Sequence, residues 1–171
     1  GSLGAAELET WREIRDVVAE ARPVSVALGE LLDDVVFDLA QQAVGMRFAK
    51  IGLSGCTSHS DWRERWHRAI TCLPDGVASA AVIYADHLIA SSPLPEVILR
   101  QAIEFECAAI LFDTFSKANG NLFDHLGEQE LRQLCREAKQ SGLKVVLAGS
   151  LRGDLILRGL ELEPDYIAVR G

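Results

Sequence analysis

The chain has 171 residues, which suffice for one sizeable hydrophobic core but not for two ordinary domains. Hydrophobic residues make up 49% and aromatic residues 6%, so we expect a core of Ala, Leu, Val and Ile, as in helices packed on parallel strands. The net charge of −8 argues against nucleic acid as the main partner, because that partner needs clustered Lys and Arg. A small phosphorylated substrate, which needs one or two local donors, is not excluded.

Membrane and disulfide signals are weak. No apolar run is long enough to span a bilayer, and no charged-then-apolar leader opens the chain, so we expect no membrane partner. The four cysteines, at 56, 72, 107 and 135, are far apart and lack C-x-x-C spacing. They predict reduced, mostly buried thiols of a cytoplasmic protein rather than disulfides or zinc ligands.

Apolar periodicity and Gly or Pro punctuation divide the chain into alternating helices and strands. In chain order we predict helix 5–21, strand 24–28, helix 31–44, strand 48–53, helix 59–73, strand 78–84, helix 96–105, strand 108–112, helix 126–141, strand 144–148, helix 151–162 and strand 165–169. We expect a Ser58–Asp61 capping box at the third helix, and a packing stripe of Trp62 and Trp66 along it.

Six strands alternating with six helices predict a parallel sheet covered by helices. An open doubly wound sheet and a closed (β/α)8 barrel are the competing arrangements. No G-x-G-x-x-G follows the first strand, which removes support for a dinucleotide-binding fold. We expect a single domain over residues 1–171 of (β/α)8 TIM-barrel type, with about six of the eight βα units present.

Polar residues follow the predicted strands at their carboxyl ends, which meet on one rim in either arrangement. These residues are Glu30, Lys50, Asp86, Asp113, Lys117, Ser150 and Arg170. Amines and carboxylates gathered on one rim suit acid–base and imine chemistry, so Lys50, Asp86, Asp113 and Lys117 are the candidate catalytic residues. Asp113 alone could instead be a loop cap.

Lys50 lies within the apolar strand sequence FAKIGL. Lysine is rarely buried unless it is paired or used in catalysis, so a desolvated amine acting as base or nucleophile is one interpretation. The alternative is that Lys50 extends from an edge strand to water. Lys117 follows Asp113 by four residues and should pair with it, which favours Lys117 as proton donor or phosphate anchor over imine nucleophile.

Phosphate is expected at the last two strands. Gly149 and Ser150 should lead directly into a helix whose N-terminal N–H groups face the anion, with Arg170 and Gly171 at the end of the final strand. Barrel enzymes commonly bind phosphate in this region.

Six short segments resemble the (5-formylfuran-3-yl)methyl phosphate synthase family of methanofuran biosynthesis, a (β/α)8 barrel family. They occur in family order over the whole chain: GSLGA at 1–5, KIGLSG at 50–55, YAD at 84–86, DTFSKANGNLFD at 113–124, LAGS at 147–150 and VRG at 169–171. Each segment is weakly specific alone, and together they are fairly specific.

The resemblance implies a lyase that condenses two glyceraldehyde 3-phosphate molecules into a furan aldehyde phosphate, with loss of phosphate and water. It implies no metal and no organic cofactor. One family lysine forms a Schiff base, and a second, corresponding to Lys50, acts as base. Asp113 and Lys117 correspond to the family's D-x-x-x-K motif as further active-site residues.

The sequence departs from the family pattern at the lysine that forms the imine. The family's Schiff-base lysine precedes GSLGA, on a strand that the printed sequence does not contain. We therefore expect an internal portion of the barrel without its N-terminal strands, in which Lys117 or Lys50 would have to replace that lysine. Another lysine-dependent aldol-type lyase and a non-catalytic sugar-phosphate-binding or assembly protein are the alternatives, and a homo-oligomer is compatible with all of them.

Overall fold

The computed structural model describes residues 3–18 and 21–169, and it contains one parallel sheet of six strands. The strands are β1 (Ser25–Glu30), β2 (Phe48–Gly52), β3 (Ala78–Tyr84), β4 (Ala109–Asp113), β5 (Lys144–Leu147) and β6 (Tyr166–Ile167). They pair in sequence order, β1-β2-β3-β4-β5-β6, and every pair is parallel. This order confirms the predicted alternating α/β architecture of barrel type.

Helices connect the strands. They are α1 (Leu8–Val18), α2 (Val36–Gln41), α3 (Trp62–Thr71), α4 (His87–Ala90), α5 (Pro95–Glu104), α6 (Leu122–His125), α7 (Glu128–Gln140) and α8 (Asp154–Leu160). Short helices α4 and α6 were not predicted, although α6 carries a capping box of Asn121 and Asp124. No helix among the described residues is long and apolar enough to cross a membrane.

The expected Ser58–Asp61 capping box is wrong. Helix α3 begins at Trp62 after Asp61, which makes no side-chain capping bond. Ser58 instead ends a short 3-10 helix, and its Oγ donates to the Gly55 carbonyl at 3.0 Å. The tryptophan stripe is confirmed, since Trp62 and Trp66 are buried and their rings stack with centroids 6.1 Å apart.

The second and the last of the predicted helices begin later than expected because of the turns that precede them. The segment 31–35 forms turns, because Asp33 Oδ2 accepts from the Glu30 N–H at 2.9 Å and fixes the chain after β1. The segment 151–153 precedes α8, because Gly149, Ser150 and Gly153 have φ values of 87°, 56° and 49°. A right-handed helix cannot include these conformations, so Ser150 does not lead directly into a helix.

The final strand is also shorter than the predicted 165–169, since β6 contains only Tyr166 and Ile167.

The two faces of the sheet have different surroundings. One face packs against helices in a large core that includes Leu28, Ile51, Ile83, Ile110, Phe112 and Leu147. The other face holds a smaller cluster around Val82, Tyr84 and Leu111. All four cysteines are free thiols and three are buried, as the sequence predicts.

Candidate active site

A cavity of about 650 Å³ lies on the face of the sheet away from the main helix core. Ser25 of the first strand and Tyr166 of the last strand both line it, so the sheet curves around a common space. Five of the positions that line it carry alanine, namely Ala27, Ala80, Ala109, Ala148 and Ala168, beside larger residues such as Phe48, Leu111 and Tyr166. Barrel interiors are normally filled by bulky branched residues. The alanines therefore leave room for a small ligand.

Lys50 points into this cavity from β2. Its register partners are Ala27 on β1 and Ala80 on β3, so small side chains flank the lysine on both sides. Burial lowers the pKa of Lys50 below its ordinary value of 10.5, and the negative charge of Asp113 partly opposes that decrease. Within residues 3–18 and 21–169, Lys50 Nζ has no hydrogen-bond or ion-pair partner.

Asp113 and Lys117 form the predicted pair at the cavity. Lys117 Nζ donates to Asp113 Oδ1 at 2.8 Å, and to the carbonyl and hydroxyl oxygens of Thr114 at 2.7 and 3.5 Å. Asp113 is 8% exposed and also accepts the Thr114 N–H at 2.8 Å. The lysine therefore folds back over the end of β4, and the two charges occupy one side of the cavity.

Gly149 and Ser150 line the cavity, but they do so from an irregular turn. Gly149 has a φ of 87°, and a Cβ there would lie 3.1 Å from Thr114 Cγ2 and 3.2 Å from Leu122 Cβ. The turn thus packs tightly against the segment that carries Lys117. Arg170 and Gly171, the other expected phosphate ligands, lie outside the described residues.

Arg152 also lines the cavity and was missed from the sequence. The two residues shortly before it, Gly149 and Ser150, have left-handed backbone, and this conformation keeps Arg152 out of helix α8. The described charged lining residues are three cations, Lys50, Lys117 and Arg152, and one carboxylate, Asp113. A locally positive cavity in a chain of net charge −8 suits an anionic ligand.

Asp86 and Glu30 lie at strand ends but outside the cavity lining. Asp86 Oδ1 and Oδ2 accept from the backbone N–H groups of Phe115 and Ser116 at 2.7 and 2.8 Å. Glu30 accepts from Tyr84 Oη and from the Ser54 N–H. The structure thus brings Lys50, Asp113, Lys117, Gly149 and Ser150 to one cavity, and sets the other two carboxylates behind it.

No group of three or more His, Cys, Asp or Glu residues in the described ranges is arranged to hold a metal ion.

Solved structures of barrel enzymes share this fold. The crystal structure of a protein assigned as a dehydratase from Mesorhizobium loti aligns with a TM-score of 0.61 at 14% identity, over 94% of this chain and 39% of that chain. A xylose isomerase domain protein from Planctomyces limnophilus aligns with a TM-score of 0.51 at 13% identity, over 86% and 62%. The chain is therefore an α/β protein of TIM-barrel type, with a cavity on the inner face of its sheet that Lys50 and Lys117 line.

Sequence comparison gives the family. The chain belongs to the 4-HFC-P synthase family, whose model matches residues 1–171. A (5-formylfuran-3-yl)methyl phosphate synthase from Methanopyrus kandleri is 34% identical, over 100% of this chain and 75% of its own length. A synthase of the same name from Methanococcus maripaludis is 30% identical, again over 100% and 75%. The family resemblance inferred from short motifs is confirmed.

Proposed function

We propose that this protein is a lyase that condenses two glyceraldehyde 3-phosphate molecules into (5-formylfuran-3-yl)methyl phosphate, for methanofuran biosynthesis. The atoms balance when one phosphate and two water molecules leave. The names of the relatives and the positive cavity support this substrate class. The four free thiols support a reducing compartment, the cytoplasm.

The position of Lys50 carries the proposal. A half-buried amine with a lowered pKa and no described hydrogen-bond or ion-pair partner is available in its neutral form at lower pH than an ordinary lysine. In that form it takes a proton from the carbon next to a carbonyl or imine. The resulting carbon nucleophile attacks the aldehyde carbon of the second triose phosphate, which forms the new carbon–carbon bond.

Lys117 donates a proton or binds phosphate in this proposal, whereas Lys50 accepts a proton. Its ammonium is held against Asp113 and Thr114, which favours a proton donor or a phosphate anchor. In either role it helps an oxygen or a phosphate leave by neutralising its developing charge. Asp113 orients Lys117 and keeps the charge near Lys50 balanced.

Phosphate binding belongs to the turn after β5 in this proposal. Gly149 and Ser150 line the cavity, and Arg152 supplies a guanidinium close by in sequence. Arg170 and Gly171 remain predicted ligands of the same phosphate.

Borohydride trapping tests the imine part of the proposal. The intact protein is incubated with glyceraldehyde 3-phosphate and sodium borohydride, and adducts are located by mass spectrometry. A reduced adduct on a lysine supports lysine-dependent aldol chemistry, and its position identifies the imine residue. Binding without any adduct would instead support the non-catalytic sugar-phosphate-binding alternative.

Lys50→Met tests the base. The substitution keeps the apolar stem and removes the amine, and we expect product formation to fall by about 100-fold or more. Lys144→Met is the matched control, because Lys144 is also a strand lysine but lies outside the cavity lining. Near-normal turnover of Lys50→Met would contradict the proposed base, whatever the trapping experiment shows.

A further inference from the structure

Outside the cavity lining, Glu30 and Tyr84 connect the ends of β1 and β3. Tyr84 Oη donates to Glu30 Oε1 at 2.6 Å, while the Ser54 N–H donates to Glu30 Oε2 at 2.9 Å. Tyr84 is fully buried, so its hydroxyl relies on protein partners. The carboxylate therefore fixes the direction of the tyrosine ring.

Gly52 makes this connection possible. It pairs with Glu30 across the β1–β2 ladder and lies beneath the hydrogen bond to Tyr84. A Cβ at Gly52 would overlap Glu30 Oε2 and lie 2.5 Å from Tyr84 Oη. The position of this glycine in the KIGLSG segment thus has a steric reason that the motif alone did not reveal.

The tyrosine ring supports the turn that carries Lys117. Tyr84 packs edge-on against Phe115, with ring centroids 5.4 Å apart and planes at 72°. Tyr84 is also the register partner of Asp113 across the β3–β4 ladder. The ring is therefore fixed on one side by Glu30, and it contacts Phe115, which lies between Asp113 and Lys117 in the sequence.

Asp86 holds the same turn by its backbone. Its two carboxylate oxygens accept from Phe115 N–H and Ser116 N–H, at 2.7 and 2.8 Å. Asp86 is 4% exposed, so these charge-assisted bonds are largely shielded from water. The next residue is Lys117, whose Nζ needs both Asp113 and the Thr114 oxygens in place.

We propose that Glu30 and Asp86 are positioning residues, which act through Tyr84 and through the amides of Phe115 and Ser116 to fix the 114–117 turn and thereby aim Lys117 Nζ at Asp113 and the cavity. This inference deepens the proposed function and rests on it for the catalytic role of Lys117. It assigns Asp86 a role away from the substrate, in place of the catalytic role expected from its strand-end position.

Asp86→Asn tests the backbone part. The amide oxygen can replace one carboxylate acceptor, but the NH2 group cannot accept the second N–H. We expect amide hydrogen exchange in the 115–116 segment to accelerate by about tenfold or more, the effect of losing a hydrogen bond to a charged group. Asp75→Asn, an exposed turn residue, is the matched control and should leave this exchange unchanged.

The reactivity of Lys117 separates positioning from general stability. The intact protein is treated with a limiting amount of acetic anhydride, and modification of Lys117 is measured relative to Lys144 in the same molecules. Asp86→Asn and Tyr84→Phe should each raise this ratio several-fold, because Lys117 Nζ loses its fixed acceptors. Tyr84→Phe keeps the ring on Phe115 and removes only the hydroxyl, so it serves as the milder variant.

Kinetics complete the test. For Asp86→Asn we expect kcat to fall by about 10- to 100-fold with a smaller change in KM, the cost of misplacing a group that acts in the transition state. An unchanged Lys117:Lys144 ratio in both variants would overturn the inference, even if exchange or activity changed. Because that ratio does not depend on turnover, it remains informative if Lys50→Met shows the proposed reaction to be wrong.

Discussion

The two faces of the sheet use the same strands for different purposes. Facing the helices are large, fully buried side chains, among them Leu28, Ile51, Ile83, Ile110 and Phe112. Facing the cavity are small side chains and the reactive groups, among them Ala27, Lys50, Ala80, Asp113 and Ala148. The comparison teaches that stability comes mainly from the helix-facing side, while the inner side gives up packing to make room for chemistry.

Adjacent residues of β4 test this difference with nearly equal side chains. Ile110 faces the helices and Leu111 lines the cavity. We expect Ile110→Ala to lower the free energy of unfolding by about 2–5 kcal/mol, because it leaves a hole in a close-packed core. Leu111→Ala should lower the free energy of unfolding by at least about 1 kcal/mol less than Ile110→Ala does, because it only enlarges an existing cavity. Equal losses in urea unfolding of the two variants would contradict the comparison.

Two glycines with similar backbone conformations provide a second test of this comparison, one of them at the turn after β5. Gly149 has a φ of 87° and would place a Cβ against Thr114 and Leu122, whereas Gly142 has a φ of 84° with open space around it. Alanine at either position should lower the free energy of unfolding by about 1–2 kcal/mol, because it strains the backbone. Only Gly149→Ala should also raise KM for glyceraldehyde 3-phosphate, because only that turn lines the cavity.

If Gly142→Ala changes KM as much as Gly149→Ala does, the effect comes from lost stability, and the phosphate placement is wrong.

Asp113→Asn should have a smaller effect, which we expect in the pH dependence of kcat/KM. The charge of Asp113 raises the pKa of Lys50 against the stronger lowering by burial. Without that charge the pKa of Lys50 falls further, so the neutral base persists to lower pH. The acidic limb of kcat/KM should therefore move to lower pH, while the maximal rate drops. Asp75→Asn serves as the control, and an acidic limb that stays in place would exclude this coupling.

The sequence predicted the six strands and their alternation with helices, because each strand is an apolar run bounded by Gly, Pro or polar residues. It failed where side chains or left-handed backbone override periodicity. Asp33 replaces the start of the second helix with turns, and Ser150 and Gly153 delay α8. Neither effect has a counterpart in the spacing of apolar residues.

The candidate site could be predicted in part. The unusual lysine within an apolar strand identified Lys50, and strand-end position identified Asp113 and Lys117, because parallel strands bring their carboxyl ends to one rim. The same rule placed Asp86 with them, and it could not show that this carboxylate turns toward the backbone of Phe115 and Ser116. Arg152 escaped notice because its segment was assigned to a helix.

The central claim is that Lys50 is a half-buried amine available in its neutral form. The printed sequence contains four lysines, at 50, 117, 139 and 144, so the Cε signals of lysine-labelled protein can be followed individually by NMR during a pH titration. The Lys50 signal is assigned by its absence from Lys50→Met. The account predicts that Lys50 titrates with a pKa below its ordinary value of 10.5. A midpoint at or above that value would contradict it.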